Sequence, residues 1–189
     1  MVQALVVYGT RYGATEDTSE FIANILRQEG FQVRLVNAKE DKISSIEDYE
    51  LVIVGSGIRM GKWTSEPEKF LETFQQELSE KKLALFVCCG AAHPLTEGEE
   101  KDREIQDAHR KYLEEKAAKY NLQPIALGLF GGVYDFNKMG WIFRRTMSSV
   151  KPQLEKAGFK ETETGRYDTR DLEMIRSWAE KVAETASLQ

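Results

Sequence analysis

Five apolar runs, each about the length of a strand, alternate with longer stretches of helical periodicity. That order restricts the chain to few folds. The runs cover residues 2–8, 32–36, 51–54, 83–88 and 124–128. They are rich in Val, Ile and Leu without strict polar alternation, as strands buried on both faces of a parallel sheet are. Between them, residues 15–29 place Phe21, Ile22, Ile25 and Leu26 on one helical face, with Glu16 and Asp17 in the first turn and Gly30 as the stop. Residues 67–79 open on Pro67 and carry Phe70, Leu71, Phe74 and Leu78. Residues 102–120 are highly charged, with Ile105, Ala108, Tyr112 and Leu113 as the apolar side. Residues 171–186 carry a stripe of Leu172, Ile175, Ala179, Val182 and Ala186, with Asp168 or Thr169 as the expected cap. Strictly alternating β and α units joined by right-handed crossovers predict one doubly wound α/β domain with helices on both faces.

Composition narrows the function classes. The chain has 189 residues, a size suited to one domain with a substantial core, and a formal net charge of −5. That charge argues against nucleic-acid binding through bulk electrostatics. No apolar run approaches the ~18 residues of a membrane span, and no basic leader precedes the first strand, so a cytoplasmic protein is expected. Cys88 and Cys89 are the only cysteines. They read as neighbouring strand residues facing opposite sides, or as a thiol beside a bound ligand, rather than as a disulfide framework. No metal-ligand cluster is expected.

Ligands of open α/β sheets bind at the carboxyl ends of the strands. Three loops fall there. The first, GTRYGATE, joins the first strand to the first helix. Gly13 and Ala14 permit close backbone approach, and successive N–H groups with the hydroxyls of Thr10 and Thr15 suit a phosphate. It has no Lys, so it is not a nucleoside-triphosphate loop. The second, residues 56–63, has spacing unlike a dinucleotide fingerprint and follows the third strand, not the first. It also lacks the aspartate that a phospho-acceptor domain needs there. The third covers residues 89–94, Cys-Gly-Ala-Ala-His-Pro.

Taken together, these three loops resemble the flavodoxin family, whose first loop is roughly Thr/Ser-x-Thr-Gly-Asn-Thr. Thr10, Gly13 and Thr15 match in kind, and Ala14 replaces Asn. The resemblance implies a flavodoxin-like, five-stranded parallel sheet of order 2-1-3-4-5 and an FMN cofactor. It places Thr10, Arg11, Tyr12, Gly13, Ala14 and Thr15 at the phosphate. Ser56, Gly57, Ile58, Arg59, Gly61 and Trp63 would lie along one flank of the ring, and Gly90 and Ala91 along the other. The aromatic clamp on the second loop can be Trp63, or an apolar one from Met60 or Ile58.

Other features depart from a plain electron carrier. Arg11, Arg59 and Lys62 either converge on the flavin edge, where positive charge stabilises the anionic reduced ring and attracts an anionic substrate, or point to solvent. His93 can exchange protons with flavin or substrate, whereas His109 sits among charges. The motifs Thr-Arg-Tyr-Gly-Ala-Thr, Gly-Ser-Gly-Ile-Arg-Met-Gly and Tyr-Asp-Thr-Arg-Asp are similar to those of the flavodoxin-type protoporphyrinogen dehydrogenases. That resemblance implies oxidation of a tetrapyrrole precursor through FMN with a quinone as acceptor. Arg59, by its charge in the second loop, and His93, by its place after the fourth strand, are the catalytic candidates.

One interval, 133–167, is too long for the βα pattern and is expected as an extra segment before the last helix. Residues 133–160 hold six basic and two acidic residues, a net charge of +4, which leaves −9 on the rest of the chain. On a helix, Phe136, Met139, Phe143, Met147 and Val150 would form one stripe, with Trp141 off it. Residues 136–151 would then suit an anionic membrane surface where quinone is reached, or packing on the sheet edge, or a dimer contact. Three functions are weighed. They are an FMN oxidoreductase with an anionic substrate, an electron carrier docking with protein partners, and a binding module that has lost its flavin.

Overall fold

The computed structural model describes residues 2–11, 13–138, 141, 145 and 149–188. Strands β1 (Gln3–Gly9), β2 (Gln32–Asn37), β3 (Leu51–Arg59), β5 (Lys82–Cys88) and β6 (Ala126–Phe130) form a parallel sheet of order β2-β1-β3-β5-β6. This is the 2-1-3-4-5 order that the resemblance to the flavodoxin family implies. A two-residue strand β4 (Lys62–Trp63) folds back antiparallel on the end of β3.

Each central strand divides its side chains between two cores, as the period of two requires. Leu5, Val7, Val52, Val54, Leu83, Leu85 and Val87 face one core with α2 (Ser65–Thr73) and α3 (Gln75–Leu78). A long helical stretch closes that side. It runs from α4 (Gly98–His109) through a π turn (Arg110–Glu114) into α5 (Glu115–Lys119). Ala4, Val6, Ile53, Ala84 and Phe86 face the other core with α1 (Ala14–Gln28) and the last helix (Leu172–Ser187). Cys88 joins the second core and Cys89 the first, both as free thiols, so the expectation of opposite-facing cysteines holds. Burial pushes Cys88 up to about 12 and Cys89 up to about 11, which keeps both protonated and unreactive. On the second side, Phe86, Phe130 and Trp178 meet edge to face or tilted, with centroids 5.5–6.1 Å apart.

Several element boundaries differ from the sequence reading for identifiable reasons. The second helix begins at Ser65 rather than Pro67, and it pauses at Phe74 before resuming. Residues 102–120 are not one regular helix, because the π turn interrupts them. The last helix is capped by neither Asp168 nor Thr169. Asp171 caps it, its carboxylate accepting the Met174 N–H at 3.0 Å, because Asp168 is held by Arg170 and Thr169 by Gly132.

The interval after β6 folds as a small layer of its own. β7 (Val133–Asp135), β8 (Glu161–Glu163) and β9 (Arg166–Asp168) form an antiparallel sheet of order β7-β9-β8, backed by α6 (Val150–Lys156). The last helix is therefore α7. Phe136, Leu154 and Tyr167 make this layer's core. The expected helical stripe does not include Phe136, which lies in the turn after β7 and packs edge to face on Tyr167. Met139, Phe143 and Met147 of that stripe lie outside the described residues.

Candidate functional site

Sheet register brings the three loops to one edge. Gly9 pairs with Ser56 across β1 and β3, and Gly57 pairs with Cys88 across β3 and β5. The chain therefore leaves all three strands at the same level, where parallel α/β sheets bind ligands.

The first loop leaves backbone donors open at the start of α1. Thr10 Oγ1 accepts the Gly13 N–H at 3.0 Å and closes the loop. Gly13 is the N-cap of α1 at φ +97°, a conformation that L side chains rarely adopt, and a Cβ there would meet nothing within 4 Å. No side chain caps α1, so its first N–H groups are left for an external acceptor. Ala14 borders this space, while Thr15 is 2% exposed and its hydroxyl lies against Gly57. Arg11 is exposed, without a charged partner among the described residues. Tyr12 lies outside them.

The second loop is a hairpin rather than a loop. β3 continues through Ser56, Gly57 and Ile58 to Arg59, five residues past the run read from the sequence. Met60 and Gly61 form its turn with φ +49° and +73°, both positive as in a type I′ turn. Arg59 and Lys62 are exposed, and Met60 is 87% exposed at the tip. Ile58 turns to the core.

Two further residues of this element face inward. Ser56 is fully buried. Its hydroxyl donates to the Gly57 carbonyl at 2.9 Å, meets Thr64 Oγ1 at 3.0 Å and accepts the Thr64 N–H at 3.0 Å, so it struts the hairpin root. Trp63 is 5% exposed, donates its indole N–H to the Tyr112 carbonyl at 2.8 Å and carries Lys116 over its ring at 5.6 Å. It has almost no ring surface left for a ligand, whereas Met60, the alternative clamp, is open.

The third loop is a single 3-10 turn, Gly90–Ala92, with His93 behind it. Gly90 packs closely there, because a Cβ would lie 2.0 Å from Tyr134 Oη of β7 and one of the two would have to shift. His93 is half-buried against Phe159, with ring centroids 5.8 Å apart. Burial and the Lys101 ammonium lower its pKa against a small opposing pull from Asp171, so the imidazole is neutral at pH 7. Ala91 packs against the first core.

The extra layer thus packs on the third loop through Tyr134 and Phe159 on one side. On the other, Arg166 and Arg170 reach Asp17 in the first turn of α1, at 3.5 and 3.7 Å. Tyr134, Phe159 and Arg166 carry no local signal in the sequence, since their role depends on how the layer docks; Arg170 is the arginine of the Tyr-Asp-Thr-Arg-Asp motif. Among the described residues, no group of three or more His, Cys, Asp and Glu could hold a metal ion, and no helix is long and apolar enough to cross a membrane.

Residues 5–162 match the family model of the flavodoxin domain. Among known proteins, the chain is similar to protoporphyrinogen IX dehydrogenase [quinone] of Escherichia coli K12. The two are 24% identical over 186 residues, which span 98% of this chain and 93% of that protein. Among solved structures it is similar to a short-chain flavodoxin associated with a non-canonical PDU bacterial microcompartment, with a TM-score of 0.59, 15% identity and coverage of 99% and 100% of the two chains. A flavodoxin from the domain Archaea gives 0.56 at 18% identity, covering 98% and 99%. The free N-terminus of α1, the αL glycine at its cap and the open hairpin tip fit a phosphate joined to a flat ring. With more than half its length matched, the chain belongs to the flavodoxin domain family, and its cofactor is FMN.

Proposed function

We propose that this protein is an FMN-dependent oxidoreductase that takes electrons from an anionic tetrapyrrole of the protoporphyrinogen type and passes them to a quinone. FMN supplies the redox chemistry, accepting and releasing electrons within one site. The Thr10–Gly13 loop and the first N–H groups of α1 hold its phosphate. Gly90 and Ala91 flank the ring on one side and the hairpin tip flanks it on the other. Arg59, exposed and without an ion-pair partner among the described residues, stands at that tip, and this observation carries the reading. A substrate carboxylate can pair with it without first breaking a protein salt bridge. Arg11 offers a second such charge at the phosphate end. His93, held neutral, is the base that takes a proton from the substrate as electrons leave it. Residues 136–151, with Trp141 70% exposed, would bring the site to the membrane surface where quinone resides.

A second reading is an electron carrier that docks with protein partners, and the exposed Met60 between Arg59 and Lys62 favours it. An anaerobic titration separates the two. Protein loaded with FMN should lose its visible flavin bands on adding protoporphyrinogen and regain them with quinone. Bound flavin that ignores the porphyrinogen would leave the carrier. Replacing Arg59 by Ala should lower turnover about tenfold, the effect of one charge-assisted contact, with FMN affinity nearly unchanged. Loss of FMN binding alone would remove Arg59 from the substrate site.

A further inference from the structure

The hairpin that carries Arg59 and Met60 is too small to hold its own shape. It has two residue pairs, Ile58 with Trp63 and Arg59 with Lys62, and even a full isolated hairpin is marginal in water. Its outer residues are exposed, so the constraint comes from beneath. Trp63 enters the core between the sheet and the helical stretch that closes it, and its indole N–H meets the Tyr112 carbonyl at 2.8 Å. Tyr112 belongs to the π turn Arg110–Glu114. A π turn moves backbone pairing from i+4 to i+5, and this widening lets a carbonyl accept a donor from outside the helix. The same turn places Lys111 Nζ and Tyr112 Oη 3.4 and 3.8 Å from where a Cβ on Gly61 would stand. One irregular turn therefore touches the hairpin at both Trp63 and Gly61.

We infer that Trp63 is a positioning residue for the flavin ring. By donating to Tyr112 it locks the hairpin to the π turn, and so sets where Arg59 and Met60 stand beside the ring. This rests on the assignment of the hairpin as one flank of FMN. It also explains why a tryptophan, rather than any apolar residue, occupies a core position: packing needs only the ring, and the lock needs the N–H.

Trp63→Phe keeps the aromatic packing and removes the donor. Two measurements on the full chain test the lock. In amide hydrogen exchange without added flavin, residues 57–64 of the variant should open about tenfold more readily while residues 4–7 of β1 keep their rate. In binding, affinities for FMN and riboflavin should fall together by about fivefold, because the loosened hairpin flanks the ring that both share. Thr10→Val serves as the reference, lowering FMN affinity while leaving riboflavin unchanged. Unchanged exchange in the hairpin, a uniform acceleration that includes β1, or riboflavin affinity equal to wild type would each overturn the inference. If wild-type protein takes up neither flavin, the cofactor assignment fails instead, and the ring-positioning role fails with it, whatever the exchange result.

Discussion

Arg170 grips Asp168 through three hydrogen bonds of 2.6–3.1 Å and at the same time reaches Asp17 at 3.7 Å, so one guanidinium joins β9 of the extra layer to the first turn of α1. Arg170 is 10% exposed and Asp168 27%. Burial alone would raise the Asp168 carboxyl, but the Arg170 hydrogen bonds outweigh it and hold the group below its ordinary value. Arg170→Ala leaves a half-buried carboxylate with only the residue-170 backbone N–H at 3.0 Å as hydrogen-bond donor, and should cost about 2 kcal/mol, a drop in Tm of about 4–8 °C for a chain of this size. Limited proteolysis should then cut first within residues 133–168. An unchanged melting curve would show that the layer is held by its apolar core alone.

Glu68 of α2 accepts Lys116 at 2.7 Å and Lys119 at 2.8 Å, tying α2 to α5 across the face of the first core. Burial opposes ionisation there, yet the two ammonium hydrogen bonds win and lower the carboxyl from 4.5 to about 2. A carboxylate with a depressed folded pKa stabilises the protein above its unfolded pKa and loses that contribution as pH falls. The loss should run from about pH 5 down to about pH 2. Lys119 is more than half exposed, so solvent screens part of the effect, and Glu68→Gln should cost about 1 kcal/mol at pH 7. Denaturant melts of wild type and variant should converge as pH approaches 2. A constant gap across that range would assign the cost to packing, not charge.

Gly90 and Tyr134 give a test of how the extra layer bounds the site. A Cβ on Gly90 would lie 2.0 Å from Tyr134 Oη and 3.0 Å from its Cζ. Gly90→Ala should therefore push the third loop and β7 apart at a cost of about 2 kcal/mol. Adding Tyr134→Phe removes the closest atom and should restore more than half of the loss in a double-mutant cycle. The visible spectrum of bound FMN should shift in the single variant and return in the double. Additive losses would place the strain elsewhere.

The parallel sheet, its strand order and both cores were legible because each central strand is buried on both faces, and such strands announce themselves as unbroken Val, Ile and Leu runs. The shape of the first loop was legible because it is local: Thr10, Gly13 and the start of α1 are neighbours in the chain. The second loop was less so. Ser56 and Trp63 have the right residue types for a ligand, but Thr64 and Tyr112 consume their polar atoms, and that competition is tertiary. The π turn gives no composition signal, since Arg110–Glu114 continues the periodicity of its flanks loosely enough to pass as regular helix. Least legible was the extra layer. Its strands are three residues long, with β8 exposed along its whole length, too short for a period of two to register.

His93 stands behind the third loop, and its environment fixes the direction of its pKa shift. Burial beside Phe159 lowers its pKa, Lys101 lowers it further, and Asp171 pulls weakly the other way. Its midpoint, followed by the imidazole C–H resonance, should lie below the ordinary ~6.5. Lys101→Ala should raise it. Asp171→Asn should lower it while keeping the cap on α7, because Asn serves as well as Asp at that position. For stability, the unfolded histidine holds the extra proton between the depressed folded pKa and about 6.5, so stability should rise with pH through that window and level off above it. Activity that needs His93 as a base should rise over the same window, with its midpoint moving in step with the resonance in both variants. A pH profile that stays fixed while the resonance moves would remove His93 from the proton path and leave it as a wall of the third loop.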